Sequence, residues 1–128
     1  MSNPNEIFET FLESMESCDI DRILQSFTDQ SSWQNVPHPA AVGISEIRST
    51  FETIVRRSSQ IKWDIVSSSF EGTRGWIERI DRFWIDQTEY SVKCNGVFDF
   101  DLKTSSILSV RDYVDLGEWR SRLENAKL

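Results

Sequence analysis

One histidine, two cysteines and three prolines are all that this 128-residue chain holds of those types, and each scarcity removes a class of chemistry. A Ser–His or Cys–His nucleophile system requires the lone His38 beside the nucleophile. Its place between Pro37 and Pro39 marks it as a turn residue instead. Cys18 and Cys94 are isolated, form no metal-ligand spacing and suit a reducing cytoplasm better than a disulfide framework. Cys18 lies near a helix end among acids, which disfavours a reactive thiolate. No apolar run is long enough to cross a bilayer. The opening MSNPNEIFETF has neither a basic region nor a continuous apolar one, so no export signal is visible. Basic residues are outnumbered 14 to 21, giving a net charge of −7, and the pI is near 4.7. That balance argues against nucleic acid and anionic membrane as partners, both of which call for clustered Lys and Arg. The expectation is a cytoplasmic single domain over residues 1–128.

What is plentiful is aromatic surface: 12% of the residues, with five Trp and eight Phe. Aromatics bury large areas, so they fill a core or line an apolar pocket, and composition alone does not choose between the two. Hydrophobic residues at 38% and charged residues at 27% are ordinary for a globular protein.

Periodicity organises the chain into helices followed by strands. From Asn5 to Ser17, Ile7, Phe8, Phe11, Leu12 and Met15 form one helical stripe. Asp19 is suited to cap a second short helix with Ile20, Ile23, Leu24 and Phe27 on one side. Ser31 to Val36 reads as a short strand stopped by the Pro37-His38-Pro39 turn. After Gly43, Ile44, Ile47, Phe51, Ile54 and Val55 return to helical spacing. Ile61, Trp63 and Ile65 then alternate with polar residues, and Trp76–Ile85, Tyr90–Phe100 and Ile107–Val114 are further strand-like runs. Asp115 is suited to cap a last helix that buries Leu116, Trp119 and Leu123. Helices first and an antiparallel meander afterwards predict an α+β fold, with N-terminal helices packed on a curved, mostly antiparallel sheet. Such a cone leaves a deep pocket between its layers.

Alternate residues of a strand share a face, which singles out polar groups in apolar company. Leu108, Val110, Asp112 and Val114 form one set, and Ile77, Arg79, Asp81, Phe83 and Ile85 another. Trp33 and Asn35 share a face just before the proline turn. A carboxylate among apolar residues is costly unless it is paired or functional. An Arg between two acids is equally a buried ion-pair network that only satisfies itself. The opposite face of the Trp76–Ile85 run also carries charges, Glu78 and Arg82, so periodicity leaves open which face is inside. Cys94, on the face of Tyr90, Val92 and Phe98, reads as a small core residue. Glu118, Arg120, Arg122 and Glu124 read as a solvated helix face.

These same segments carry a resemblance. Trp33-Gln34-Asn35-Val36-Pro37 leading to Gly43, then Glu78-Arg79-Ile80-Asp81, Gly96-Val97-Phe98 and Arg111-Asp112-Tyr113-Val114-Asp115-Leu116 follow, in order and spacing, the motifs of limonene-1,2-epoxide hydrolases. The resemblance runs from about Asp29 to Trp119. It implies the cone-shaped fold of nuclear transport factor 2, a homodimer, and hydrolysis of a small apolar, terpene-like or cyclic epoxide without metal or other cofactor. It further implies that Asp112 is the general base, Asn35 a water-positioning residue, Asp81 the general acid and Arg79 the bridge between the acids. Trp33 stands where the family has Tyr. Its indole N–H can donate the same hydrogen bond to the water, while the larger ring moves that water and narrows the pocket.

The chemistry follows from the residue types. Epoxide opening needs a proton at the oxygen and an activated water at carbon. Two carboxyls in opposite protonation states supply both when their environments push them apart. Two other readings use the same residues. One is an isomerase, cyclase or dehydratase of the same fold acting on a polyketide- or steroid-like molecule, which needs one base but no Arg between two acids. The other is a non-catalytic ligand-binding dimer. A cavity reached by both acids separates the enzymatic readings from a sealed structural network.

Overall fold

The computed structural model describes residues 2–128. Four helices and six strands follow one another as α1 (Pro4–Glu16), α2 (Ile20–Leu24), β1 (Ser32–Val36), β2 (Ala41–Val42), α3 (Ile44–Arg57), β3 (Gln60–Glu71), β4 (Arg74–Ile85), β5 (Thr88–Asp101), β6 (Ser106–Val114) and α4 (Leu116–Ala126). Helix α1 starts where Asn3 accepts a hydrogen bond from the Glu6 N–H and Pro4 takes the first helical position. Its stripe of Ile7, Phe8, Phe11 and Met15 is buried against the sheet, with Phe8 edge-on to Phe98 at 5.3 Å. Asp19 caps α2 as expected, and Asp115 caps α4.

The strands form one sheet in the order β2-β1-β6-β5-β4-β3. Strands β3 to β6 are an antiparallel meander. The β4–β5 turn is made tight by Asp86 and Gln87, both with positive φ, which matches the right-handed twist of a hairpin. Strand β1 inserts parallel to β6 and places Asn35 directly beside Asp112. This pairing makes the sheet mixed, and β2, too short to show a period, pairs only with β1.

Two expectations about faces change. A register irregularity between Asp99 and Phe100 on β5, opposite the start of β6, turns Ile107 into the core and Leu108 out to solvent. Leu108 therefore does not share the inner face of Val110 and Asp112. A second irregularity, between Ile65 and Ser67, lets β3 run on to Glu71 and leaves Ile65 partly exposed. Such bulges add twist and bend, and they curve the sheet around α1. The open question about β4 is resolved by burial: Ile77, Arg79, Phe83 and Ile85 face inward. Arg82 lies on the outer face, where Asp64 and Glu89 accept its hydrogen bonds.

Helix α4 leaves Leu116, Trp119 and Leu123 only half-buried, and Trp119 and Leu123 form a wall of the cavity described below. Arg122 is not solvated: it donates to the Ser91 carbonyl at 3.1 Å and ties α4 to β5. Arg57, in the last turn of α3, donates to the carbonyls of Ala126 and Lys127 at the end of α4. Among the described residues no helix is long and apolar enough to cross a membrane.

Candidate active site

The inner face of the sheet carries one buried cation and two acids. Arg79 on β4 reaches across β5 toward β6, its side chain fully enclosed. Its guanidinium donates to Asp81 through Nε (2.8 Å to Oδ1) and Nη2 (3.1 Å to Oδ2). The other edge donates to Asp112 through Nη1 (2.9 Å to Oδ1) and Nη2 (2.6 Å to Oδ2). Two bidentate forks therefore use four of the five N–H groups. Trp63 on β3 lies against the guanidinium, with Arg79 Cζ 4.1 Å from the ring centroid. Burial works against the charge of Arg79, but Asp112 and Asp81 outweigh it and raise its pKa well above the usual value.

The passage of Arg79 over β5 depends on Gly96, the register partner of both Ile77 and Asp112. A Cβ at position 96 would lie 2.5 Å from Asp112 Oδ1, 2.8 Å from Arg79 Nη1 and 2.9 Å from the Phe98 ring. Glycine is required here for close approach rather than for backbone freedom.

A cavity of about 310 Å³ opens between this face and α1, α3 and α4. Asp81, Asp112, Asn35 and Trp33 all line it, together with Phe51 from α3 and Trp119 from α4. The two acids are buried but not sealed, with side-chain exposures of 15% for Asp81 and 5% for Asp112. Arg79 sits behind them. Asn35 lies beside Asp112, and its amide makes no hydrogen bond to another described side chain or backbone group. Trp33 is buried by packing edge-on to Phe51 at 4.7 Å and against Phe11, Trp63 and Phe98. All five residues nominated from the sequence thus meet at one place. His38 stays outside, exposed in the turn where its N–H donates to the Asn35 carbonyl.

Electrostatics separate the acids from ordinary surface carboxyls. One guanidinium cannot neutralise two buried carboxylates, so the cluster favours holding one proton. Burial, reinforced by Asp112 and opposed by Arg79, pushes the Asp81 carboxyl from 3.8 to about 6. Cys94, read from the sequence as a small core residue, is buried in the core and also belongs to the site: it lines the cavity, and its Sγ donates to Asp81 Oδ2 at 3.5 Å. Burial, then the Asp81 charge, pushes its thiol far above the usual range, so it is no nucleophile. Its register partner is Arg79, a signal that pairing β4 with β5 in the sequence would have revealed. Among the described residues no group of three or more His, Cys, Asp or Glu side chains is arranged to hold a metal ion.

Known proteins share this architecture. A protein from Shewanella denitrificans, provisionally assigned as a SnoaL-like polyketide cyclase, superimposes with a TM-score of 0.81 at 9% identity, over 95% of this chain and 97% of that one. An epoxide hydrolase of the limonene-epoxide-hydrolase-like type from Mycobacterium tuberculosis gives 0.70 at 23% identity, over 94% and 89%. SalBIII, an epoxide hydrolase/cyclase-like enzyme of pyran ring formation in the polyether salinomycin, gives 0.78 at 16% identity, over 90% and 92%. At these identities the likeness establishes the cone-shaped α+β fold, which carries both hydrolases and cyclases. The sequence profile of the SnoaL-like domain matches residues 8–104, more than half of the chain, and the chain belongs to that family.

Proposed function

We propose that this protein is a cofactor-independent epoxide hydrolase that converts a small apolar epoxide to a vicinal diol. The observation that carries the reading is the double fork of Arg79 on Asp81 and Asp112, with both acids open to one apolar cavity. A purely structural network would not need both acids open to a cavity, whereas a concerted acid–base reaction needs them there in complementary protonation states. Asp112, as carboxylate, takes a proton from a water that is also held by the Asn35 side-chain amide oxygen and the Trp33 indole N–H. That water's oxygen bonds to one epoxide carbon. The electron pair of the breaking C–O bond stays on the epoxide oxygen, which takes the proton of Asp81. Asp112 ends protonated and Asp81 ionised, and exchange with solvent resets both. Arg79 is bound to both acids throughout, so it offsets the charge as the negative centre moves from Asp112 to Asp81.

An epoxide-opening cyclase, unlike a cyclase that works by proton transfer from a single base, uses the same pair differently, with a substrate hydroxyl replacing the water as nucleophile and a cyclic ether as product. The cavity favours the smaller substrate: at about 310 Å³ it lies at the low end of the ~300–1,000 Å³ usual for ligand pockets, which suits a single ring better than a polyketide chain. Incubation with terpene, cyclic and aryl epoxides, followed by product analysis, tests the proposal. Diols that appear only with enzyme support it. A cyclic ether from a hydroxylated epoxide, with no diol from any member of the panel, moves the assignment to a cyclase.

A further inference from the structure

Asp81 has two oxygens, and only one of them has room for a transferable proton. The Arg79 fork occupies one lone pair on each oxygen, through Nε on Oδ1 and Nη2 on Oδ2. Cys94 Sγ, on the neighbouring strand, takes a second position on Oδ2 at 3.5 Å. That leaves Oδ1 with a single donor and one free lone pair, on a residue that lines the cavity. We propose that Cys94 is a positioning residue for Asp81: by filling Oδ2 it seats the reactive proton on Oδ1, from which that proton reaches the epoxide. This inference rests on the hydrolase reading for the identity of the proton acceptor, but the hydrogen bond itself does not.

The step balances within the site. The Oδ1–H bond breaks as an O–H bond forms on the opening epoxide, and the new charge on Asp81 is met by three donors: Nε, Nη2 and the thiol. A thiol is a weak donor, so its worth is modest; one hydrogen bond of this kind corresponds to about a two- to tenfold change in rate. The charged or titratable groups that bear on Asp81 are Arg79 on its own strand, Cys94 on β5 and Asp112 on β6. From β3 and α1 the cavity receives only Trp63, Ile61 and Met15.

The test reads the thiol directly, in a Cys18→Ser background where Cys94 is the sole cysteine. Its S–H infrared band should lie below that of a free thiol and should shift as pH crosses the titration of Asp81. Cys94→Ala should raise the Asp81 midpoint, followed by carbon NMR of labelled aspartate with Asp81→Asn as the assignment control. The same variant should lower kcat about two- to tenfold with little change in KM, and Cys94→Ser, which keeps a donor, should recover part of both effects. An S–H band indifferent to pH, or an unmoved Asp81 midpoint in Cys94→Ala, overturns the inference. Neither spectroscopic arm needs a substrate. An inactive protein with a responsive thiol therefore defeats the hydrolase reading alone, and an active one with a silent thiol defeats this inference alone.

Discussion

Gly96→Ala adds one methyl group at the point where the guanidinium crosses the sheet. The added carbon would stand 2.5 Å from Asp112 Oδ1 and 2.8 Å from Arg79 Nη1, both below any tolerable contact. Those two atoms are hydrogen-bonded to each other at 2.9 Å and cannot move apart without breaking a buried ion pair. Relief at the third contact, Phe98, is blocked because that ring is fully buried among Phe8, Phe11, Trp33 and Phe100. Overpacking of this kind costs ~1–3 kcal/mol. Separation of the buried pair adds to it, up to the ~3–5 kcal/mol lost when one partner is removed outright. A total of about 3 kcal/mol or more is expected as a lowered denaturant midpoint at constant m-value. Diol formation should fall at least tenfold under conditions where the protein remains folded. Gly72→Ala is the control: its φ of 60° strains any side chain, at ~1–2 kcal/mol, but nothing lies within 4 Å of the added carbon. It should lose stability while keeping full activity. Gly96→Ala with wild-type midpoint and turnover would refute the placement of Arg79 across β5.

Other expectations follow from the same site. Arg79→Met should destabilise the fold by ~3–5 kcal/mol and abolish turnover, because two buried acids lose their only cation; a melting curve and the diol assay check it. With Asp81 pushed by burial to about 6, the general acid loses its proton above that pH, and kcat/KM should fall about tenfold per unit beyond it. The stability contribution of Asp81 has the same sign. Its native form binds a proton more tightly than the unfolded chain with its ordinary value of 3.8, so the contribution is full below about pH 4 and is lost as pH rises through 6. Asp81→Asn should remove the stability dependence and abolish turnover, as urea titrations across pH 4–8 and the diol assay would show. Trp33→Tyr, which puts a hydroxyl donor beside Asn35 in a wider cavity, should keep or raise turnover of a small cyclic epoxide. The outer sheet face exposes Trp76 (40%) and Tyr113 (51%), which we propose as the surface of a homodimer, and light scattering at micromolar concentration should report twice the monomer mass.

Much of this site is legible in the sequence because strand alternation is local. Arg79 and Asp81 stand two residues apart among Ile77, Phe83 and Ile85, and Asp112 follows Val110 in the same way, so period two singles out each set and the resemblance joins them. Leu108 shows where that logic stops. One register slip near Phe100 reverses the face of everything before it, and no nearby glycine or proline marks the slip. The adjacency of Asn35 and Asp112 comes from a parallel pairing of distant strands, which local patterning does not encode. Cys94 and Gly96 look like filler until β5 is set against β4 and β6, when one proves to touch Asp81 and the other to make room for the ion pair. The half-buried stripe of α4 reads as core packing because a cavity wall and a core face have the same apolar period.

The central claim is that Asp112 is the base of an epoxide-opening reaction, and Asp112→Asn tests it most directly. The amide keeps the shape and still meets part of the Arg79 fork, but it accepts no proton from water. General-base catalysis is worth about a hundred- to ten-thousand-fold. Steady-state diol formation from a small cyclic epoxide by wild-type protein and Asp112→Asn, both verified as folded, is the measurement. The account predicts measurable wild-type turnover and a loss of at least about a hundredfold in kcat for the variant. Equal turnover by the two proteins, or none by the wild type on any epoxide tried, would contradict it.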